Sequence, residues 1–124
     1  AAWLDAARVT MENRGITPHG WATVMRIYSW SRIGDGDEAY EDLEYLIDAN
    51  LGSNLMTLLT GIFQVEANLG APAAMSDMLL QSHEGFIAPL AALPSAWADG
   101  AYSGLVAAAL RLERLGPTAL PTRS

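Results

Sequence analysis

The sequence has no cysteine and few basic side chains, and each shortage excludes a class of protein. Without cysteine there are no disulfides, thiolate metal sites or cysteine nucleophiles. Seven basic against fourteen acidic side chains leave a formal charge of -7, which repels nucleic acid and anionic lipid surfaces. No apolar run reaches the roughly 20 residues of a membrane-spanning helix, so we predict a soluble protein with neither membrane nor nucleic acid as a partner. Ala1 begins no recognisable signal peptide, and the compartment stays open.

Several chemical motifs are also missing. Gly34-Asp35-Gly36 is not followed by the Lys-Ser/Thr of a phosphate loop, and no Gly-x-Ser-x-Gly elbow occurs. The two histidines, His19 and His83, lack carboxylates at metal-ligand spacing. We therefore predict no metal site and no cofactor.

Apolar spacing predicts a mainly α fold made of antiparallel helical hairpins, with a possible short β segment near the C-terminus. We expect helices over 2–14, from Trp21 onwards, over 36–49, over 54–59, and from Pro72 to near Gly85. Asp35 and Glu38 have the spacing of a capping box for the third of these. Its expected core face is Ala39, Tyr40, Leu43, Leu46 and Ile47, and its expected solvated face is Asp37, Glu38, Glu41, Asp42 and Glu44.

The chain divides into three predicted segments that together form one structural domain. Residues 1–85 form the helical part, and residues 86–116 form a strand, turn and helix segment packed on it. Residues 117–124 form a flexible tail. Within the second segment, 86–90 is a predicted short strand, and 102–112 begins as strand or becomes helix, because strong helix formers lie from Ala107 to Arg114.

Glu66 is the acid whose surroundings most favour a functional role, since apolar residues flank it and amides lie two positions away on either side. If this segment is extended, Gln64, Glu66 and Asn68 face the same side and could bind a polar ligand. The competing interpretation is a carboxylate that caps the next helix. His19, just before Trp21, could contact a ligand or bond its own loop. The indole of Trp21 could stack on a sugar, although core packing is the commoner use of tryptophan.

Five segments occur in an order that resembles glycoside hydrolase family 95, the inverting α-L-fucosidases. They are Gly20-Trp21, Trp30 to Tyr40, Gly61 to Gly70, Met78 to Gly85, and Leu93 to Gly100. The similarity runs from about Ala6 to Leu105. It implies the last helices of an (α/α)6 barrel over 2–85 and the start of a C-terminal β region over 86–110.

The resemblance also implies a division of catalytic labour. In the family a carboxylic acid protonates the leaving group, while an asparagine made basic by an Asp activates water on the opposite face of the sugar. Glu66 occupies the place of that Asp and is one methylene longer. Gln64, Asn68, His19 and Trp21 are the substrate-binding residues that we predict from their own surroundings. The resemblance implies that the general acid and the asparagines lie upstream of the matched part. Leu59 to Ile62 replaces the His-Pro-Pro that commonly precedes the Phe-Gln pair.

We therefore predict a fragment or subunit of an α-L-fucosidase-like hydrolase, inactive as an isolated chain, with carbohydrate as ligand and the remainder of a larger protein or a second copy as partner. The family is often secreted. This hypothesis predicts exposed apolar surface on Trp21, Trp30 or Met25.

Two alternatives stay open. One is an independent helical module that binds a small molecule or dimerises, for which a closed core or a symmetric partner is expected. The other is a compact enzyme with new chemistry around Glu66, His19 and Asn68.

Overall fold

Four helices form most of the molecule, as a computed structural model describes it over residues 2–107 and 110–112. They are α1 (Ala2–Arg14), α2 (Gly20–Arg32), α3 (Gly36–Asn50) and α4 (Val65–Leu79). Short strands pair antiparallel in three two-stranded sheets: β1 (Leu58–Leu59) with β2 (Ile62–Phe63), β3 (Leu80–Gln81) with β4 (Ala88–Pro89), and β5 (Leu105–Ala107) with β6 (Leu110–Leu112). A 3-10 turn spans Ser95–Trp97. The predicted mainly α fold with short strands is confirmed.

Helices α2 and α4 pack side by side and run in the same direction. At their starts, a Cβ built on Gly20 would lie 3.3 Å from the Cβ of Ala67. Further along, a Cβ on Gly70 would lie only 2.7 Å from Val24 Cγ1, so the helices approach closely there because residue 70 has no side chain. At their ends, Ser31 and Arg32 contact Asp77. Three contacts in the same order along both helices establish a parallel pair.

Helix α3 returns along α2 after a connection of three residues, 33–35, and closes the core. The Asp35 side chain accepts a hydrogen bond from the Glu38 N–H at 3.3 Å, so the predicted capping residue is confirmed. Apolar side chains from α2, α3 and α4 pack between the three helices. The buried set is Val24, Ile27, Trp30, Ala39, Leu43, Leu46, Ala67, Ala74 and Met78, with Met11 and Ala92 at its edges.

An ion pair in this interior corrects the predicted solvated face of α3. The Asp42 side chain is only 2% exposed, and Arg26 Nε lies 3.0 and 3.1 Å from its carboxylate oxygens. Arg26 Nη1 also donates to the carbonyls of Met11 and Gly15 at the end of α1, at 2.9 Å each. Burial raises the pKa of Asp42, and the Arg26 guanidinium opposes that rise. The prediction for Asp42 was wrong because its partner lies 16 residues away on another helix.

The apolar spacing also predicted more buried residues than the structure has. Ile47, predicted on the buried face of α3, is 52% exposed. In α1, Trp3 and Leu4 are 90% and 53% exposed, whereas Met11 is buried. The stripe on α1 is helical, as predicted, but most of it has no apolar neighbour in the described part of the chain.

One predicted helix is absent, and both ends of another lie elsewhere than predicted. Residues 54–59 contain a turn and β1 instead of a helix, and the hairpin turns at Thr60 and Gly61 with φ of 46° and 90°. Helix α4 begins at Val65 rather than Pro72, and Pro72 lies inside the helix, where it has no N–H to donate. It also ends at Leu79, because β3 follows directly.

Over its described residues, the second predicted segment contains short strands, turns and one 3-10 turn. β4 lies within the predicted strand over 86–90. Over 102–112, where strand and helix were both possible, the structure has the strands β5 and β6. The predicted tail over 117–124 lies outside the described residues. No helix in the described ranges combines the length and the apolar character that a membrane span requires.

Candidate functional site

The candidate site lies where the first turns of α2 and α4 meet the β1–β2 hairpin. Gln64 directly precedes α4, and its Oε1 accepts a hydrogen bond from the backbone N–H of Trp21 at 3.0 Å. The first N–H groups of a helix have no partner within that helix, so Gln64 satisfies one of those of α2. His19, at the N-cap position of α2, pairs with Leu59 as an antiparallel bridge. The fold therefore places His19, Trp21 and Gln64 close to one another.

Asn68 is held tightly by the chain itself. Its Oδ1 lies 2.7 Å from the Thr57 N–H and 2.8 Å from the Thr57 hydroxyl, and its Nδ2 donates to the Leu55 carbonyl at 2.9 Å. Thr57 is 1% exposed, and its hydroxyl also lies 2.6 Å from the Gln64 carbonyl. Sequence reasoning missed Thr57, because nothing in its local pattern signals burial. Asn68 and Thr57 together fasten the hairpin to the first turns of α4.

The extended interpretation of this segment was wrong. Because α4 begins at Val65, Glu66 lies in the first helical turn, and Gln64, Glu66 and Asn68 do not alternate along a strand. A helical residue meets its neighbours three or four positions away, so Glu66, two positions from Gln64 and two from Asn68, does not share a face with them. What the residues share is a position at the beginning of one helix.

Glu66 is exposed, and its carboxylate has no hydrogen bond or ion pair within the described residues. It is the second residue of α4, where the helix dipole favours a negative charge. The N-cap residue is Gln64, so Glu66 is not the cap. Its carboxylate can therefore accept hydrogen bonds from a group outside this part of the chain.

Three large apolar side chains on the first half of α2 and on β2 are partly exposed. Trp21 is 46% exposed, Met25 on the next turn of α2 is 45% exposed, and Phe63 on β2 is 45% exposed. Trp30 is 1% exposed and belongs to the core. Of the residues expected to present apolar surface, Trp21 and Met25 do so and Trp30 does not. An exposed indole can lie against the C–H face of a sugar ring.

A metal centre has no support in the described residues, where no group of three or more His, Asp or Glu side chains could hold an ion. The chemistry that this end of the molecule offers is a carboxylate, an indole, an imidazole and amide groups. These groups bind neutral polar ligands through hydrogen bonds and stacking.

Comparison with protein families gives two adjoining matches. Residues 1–79 match the glycosyl hydrolase family 95 catalytic domain, and residues 81–110 match the glycoside hydrolase family 95 C-terminal domain. The boundary between the two falls where α4 ends and β3 begins.

Among curated proteins, the chain is similar to three fucosidases. Over 118 residues it is 31% identical to Probable alpha-fucosidase A of Aspergillus niger, a match covering 82% of this chain and 15% of the relative. Alpha-L-fucosidase 2 of Arabidopsis thaliana is 32% identical over 112 residues, covering 81% of this chain and 13% of the relative. Probable alpha-fucosidase A of Aspergillus oryzae is 30% identical over 122 residues, covering 82% and 17%.

The match thus spans only 13–17% of the length of these relatives. Its helical part matches the catalytic domain, and the parallel helices with their shared N-terminal end lie inside that match. The chain belongs to glycosyl hydrolase family 95.

Proposed function

We propose that this chain acts as part of an α-L-fucosidase-like glycoside hydrolase and supplies one wall of its sugar site. The observation that carries the proposal is the parallel pairing of α2 and α4, which puts the first turns of both helices at one end with Glu66 and Trp21 exposed there. Both helix dipoles present their positive ends on that side, which favours a carboxylate and polar ligands. The fucosidase names of the relatives support the choice of substrate class.

Glu66 has the central role in this proposal. Its free carboxylate would accept a hydrogen bond from the side-chain amide of an asparagine elsewhere in the enzyme, and would thereby make that amide more basic toward the attacking water. An inverting hydrolase needs such a base on the face opposite its general acid. A carboxylate already paired within the chain would serve this role less well.

The remaining site residues divide into two groups. Trp21 would lie against the sugar ring, and His19 would donate to or accept from a hydroxyl group. Gln64 would both position Trp21 through its Oε1 and bind a hydroxyl through its Nε2, which makes no hydrogen bond within the described residues. Asn68 would act as a positioning residue, because all of its amide atoms already have partners in the hairpin.

The proposed partner is the remainder of a larger protein. Trp3 at 90% exposure and Leu4 at 53% need an apolar neighbour that the described residues do not supply. A second copy of the chain could cover the same surface, and it is the alternative partner. Light scattering distinguishes them: a defined dimer with a cooperative melt favours the second copy, whereas association without defined size favours the larger protein.

A chimera tests the proposed function. Residues 6–105 replace the matching segment of alpha-L-fucosidase 2 from Arabidopsis thaliana, and release of L-fucose from an α-L-fucoside is measured. The host with its own segment is the positive control, and the host without the segment is the negative control. We expect hydrolysis by the chimera and none by the isolated 124-residue chain. A folded chimera without activity would remove the support for the proposal, as would hydrolysis by the isolated chain.

A further inference from the structure

One residue, Thr57, directly before β1, holds both ends of the turn that carries Glu66. Its carbonyl accepts a hydrogen bond from the Gln64 N–H at 2.9 Å, and its N–H donates to Asn68 Oδ1 at 2.7 Å. Gln64 and Asn68 lie two positions before and two positions after Glu66, and α4 begins between them, at Val65. The backbone of Thr57 therefore determines where the first turn of α4 lies.

The Thr57 hydroxyl adds a third contact to the same turn. It lies 2.6 Å from the Gln64 carbonyl oxygen and 2.8 Å from Asn68 Oδ1, and its single proton can be donated to either acceptor. The Gln64 carbonyl also accepts a hydrogen bond from the Ala67 N–H at 3.1 Å, within the first turn of α4. Thr57 is 1% exposed, so water has little access to these acceptors when the hydroxyl is removed.

The Thr57 side chain also packs against the start of α2. A Cβ built on Gly20 would lie 3.2 Å from the Thr57 Cβ, so the two segments approach closely because residue 20 has no side chain. Trp21 follows Gly20, and its N–H donates to Gln64 Oε1. Thr57 thus contacts the beginnings of both helices that carry exposed groups of the proposed sugar site.

We propose that Thr57 is a positioning residue, whose hydroxyl fixes the direction in which the first turn of α4 presents the Glu66 carboxylate. This role rests on the proposed function, because it requires that Glu66 takes part in hydrolysis. Thr57 is buried, so it acts through Glu66 rather than on the sugar.

Replacing the hydroxyl by a methyl group disturbs this arrangement without changing the shape of the side chain. A carbon atom needs about 3.3 Å or more from a carbonyl oxygen. The hydroxyl lies 2.6 Å from the Gln64 carbonyl oxygen, so a methyl group at the same place must move away from the turn by roughly 0.7 Å, or displace it.

Kinetics of the chimera test the proposal. In Thr57→Val we expect kcat to fall about tenfold or more, because a misplacement of about 1 Å can cost about 100-fold. KM should change by less than about threefold, since the Thr57 carbonyl still holds Gln64 and, through it, Trp21. Thr57→Ser keeps the hydroxyl and loses the packing of the methyl group, so it should melt at a lower temperature than the parent and keep kcat within about threefold.

Ser31→Ala is the matched control at the other end of the helix pair. The Ser31 hydroxyl is also buried, and it lies 3.3 Å from Asp77 Oδ2 and 3.2 Å from Gln81 Nε2. Its removal should lower the melting temperature and leave kcat unchanged. A role for Thr57 in stability alone predicts that same result for Thr57→Val.

Amide hydrogen exchange of the 124-residue chain gives a second readout that needs no activity. The amides of Ala67 and Asn68 donate to the Gln64 carbonyl at 3.1 and 3.4 Å, so their exchange reports the order of the turn. The amide of Ile27, in the middle of α2, is the reference within each variant. Relative to it, we expect exchange about tenfold faster in Thr57→Val and unchanged in Thr57→Ser.

Three results would overturn the proposal. The first is a Thr57→Val chimera with the kcat of its parent. The second is an equal fall in kcat for Thr57→Val and Thr57→Ser, which would assign the effect to packing rather than to the hydroxyl. The third is unchanged exchange at Ala67 and Asn68 in Thr57→Val.

Failure of the proposed function gives a different result. An inactive parent chimera, or equal kcat for the parent and Glu66→Gln, would contradict the role of Glu66 in hydrolysis. The exchange measurement would then decide by itself whether Thr57 orders the turn.

Discussion

The two ends of the α2 and α4 pair use their polar side chains in different ways. At the C-terminal end, Arg32 bonds Asp77 through two nitrogens at 2.6 and 2.8 Å, and Gln81 donates to Ser31 at 2.9 Å. At the N-terminal end, Gln64 and Asn68 bond the chain, but the Glu66 carboxylate has no such contact within the described residues. Both ends belong to the same two helices.

This difference distinguishes side chains that stabilise the fold from side chains that are available to a ligand. Side chains that already bond each other specify the packing of the helices, and they have little capacity left for a ligand. A carboxylate left free at the same helix end as an exposed indole adds little to stability and stays available to a group outside this part of the chain. Functional groups are therefore expected among the side chains that make no hydrogen bond or ion pair within the fold. The Glu66 end meets that description.

The largest loss of stability is expected from breaking the ion pair in the middle of α2. Arg26→Met leaves the Asp42 carboxylate buried without its partner, which should lower the free energy of unfolding by about 3–5 kcal/mol. The double variant Arg26→Met with Asp42→Leu should recover most of this loss. Urea unfolding measures both variants. A loss below about 1 kcal/mol in the single variant would show that the ion pair does not stabilise the packing of α2 and α3.

At the N-terminal end of the helix pair, we expect Asn68 to stabilise the fold and Glu66 to contribute little to stability. Asn68→Ala removes the bonds to Thr57 and Leu55, and we expect it to lower the free energy of unfolding by about 1–3 kcal/mol. Glu66→Gln, two positions earlier, should change it by no more than about 0.5 kcal/mol. Urea unfolding of the two variants side by side makes the comparison. Equal losses would contradict the assignment of different roles to these neighbours.

At the C-terminal end the expected effect is smaller, because the ion pair there is partly exposed. The Arg32 side chain is 42% exposed, so Asp77→Asn should cost about 1 kcal/mol or less. Thermal unfolding at low and high salt measures the loss, which should shrink as salt screens the pair. The chimera with Asp77→Asn should keep its kcat. A large drop in kcat without a loss of stability would instead indicate that the C-terminal end of the helix pair takes part in catalysis.

The smallest expected effect is a pH dependence from Asp37, in the first turn of α3 near the C-terminal end of α2. Asp37 accepts a hydrogen bond from the Ser95 N–H at 2.6 Å, and this bond lowers the pKa of its carboxyl. The folded state then binds this proton less tightly than the unfolded chain, so the contribution to stability is present above the ordinary Asp pKa and is lost as pH falls through the lowered value. Asp37→Asn should flatten the fall in Tm below about pH 4. An unchanged pH profile would show that the bond does not contribute.

Local signals in the sequence predicted those parts of the fold that depend on nearby residues. The Asp35 cap, for example, forms across three residues. Long-range contacts decided the rest. Asp42 is buried because Arg26 lies opposite it, and Ile47 stays exposed because no described element packs there. Spacing on one helix cannot show what lies across from it.

For the candidate site, the sequence indicated the residues but not how they are arranged. Gln64 and Trp21 proved to be neighbours, yet the bond that joins them depends on α4 beginning at Val65 rather than Pro72. That start depends on the hairpin, whose turn holds Thr60 at a positive φ that a β-branched residue rarely adopts. Such a turn has no reliable signature in this sequence. Asn68 consequently appeared to be a ligand contact, although its amide fastens the hairpin.

The measurement that tests the central claim most directly is kcat of the chimera with Glu66 changed. Glu66→Gln keeps the size of the side chain and removes its charge, and we expect kcat to fall on the order of 100-fold or more while the melting temperature stays the same. Glu66→Asp should retain activity, and Glu84→Gln, at an exposed acid beyond β3, should leave kcat unchanged. A Glu66→Gln chimera with the kcat of its parent would contradict the claim that the free carboxylate at the start of α4 takes part in catalysis.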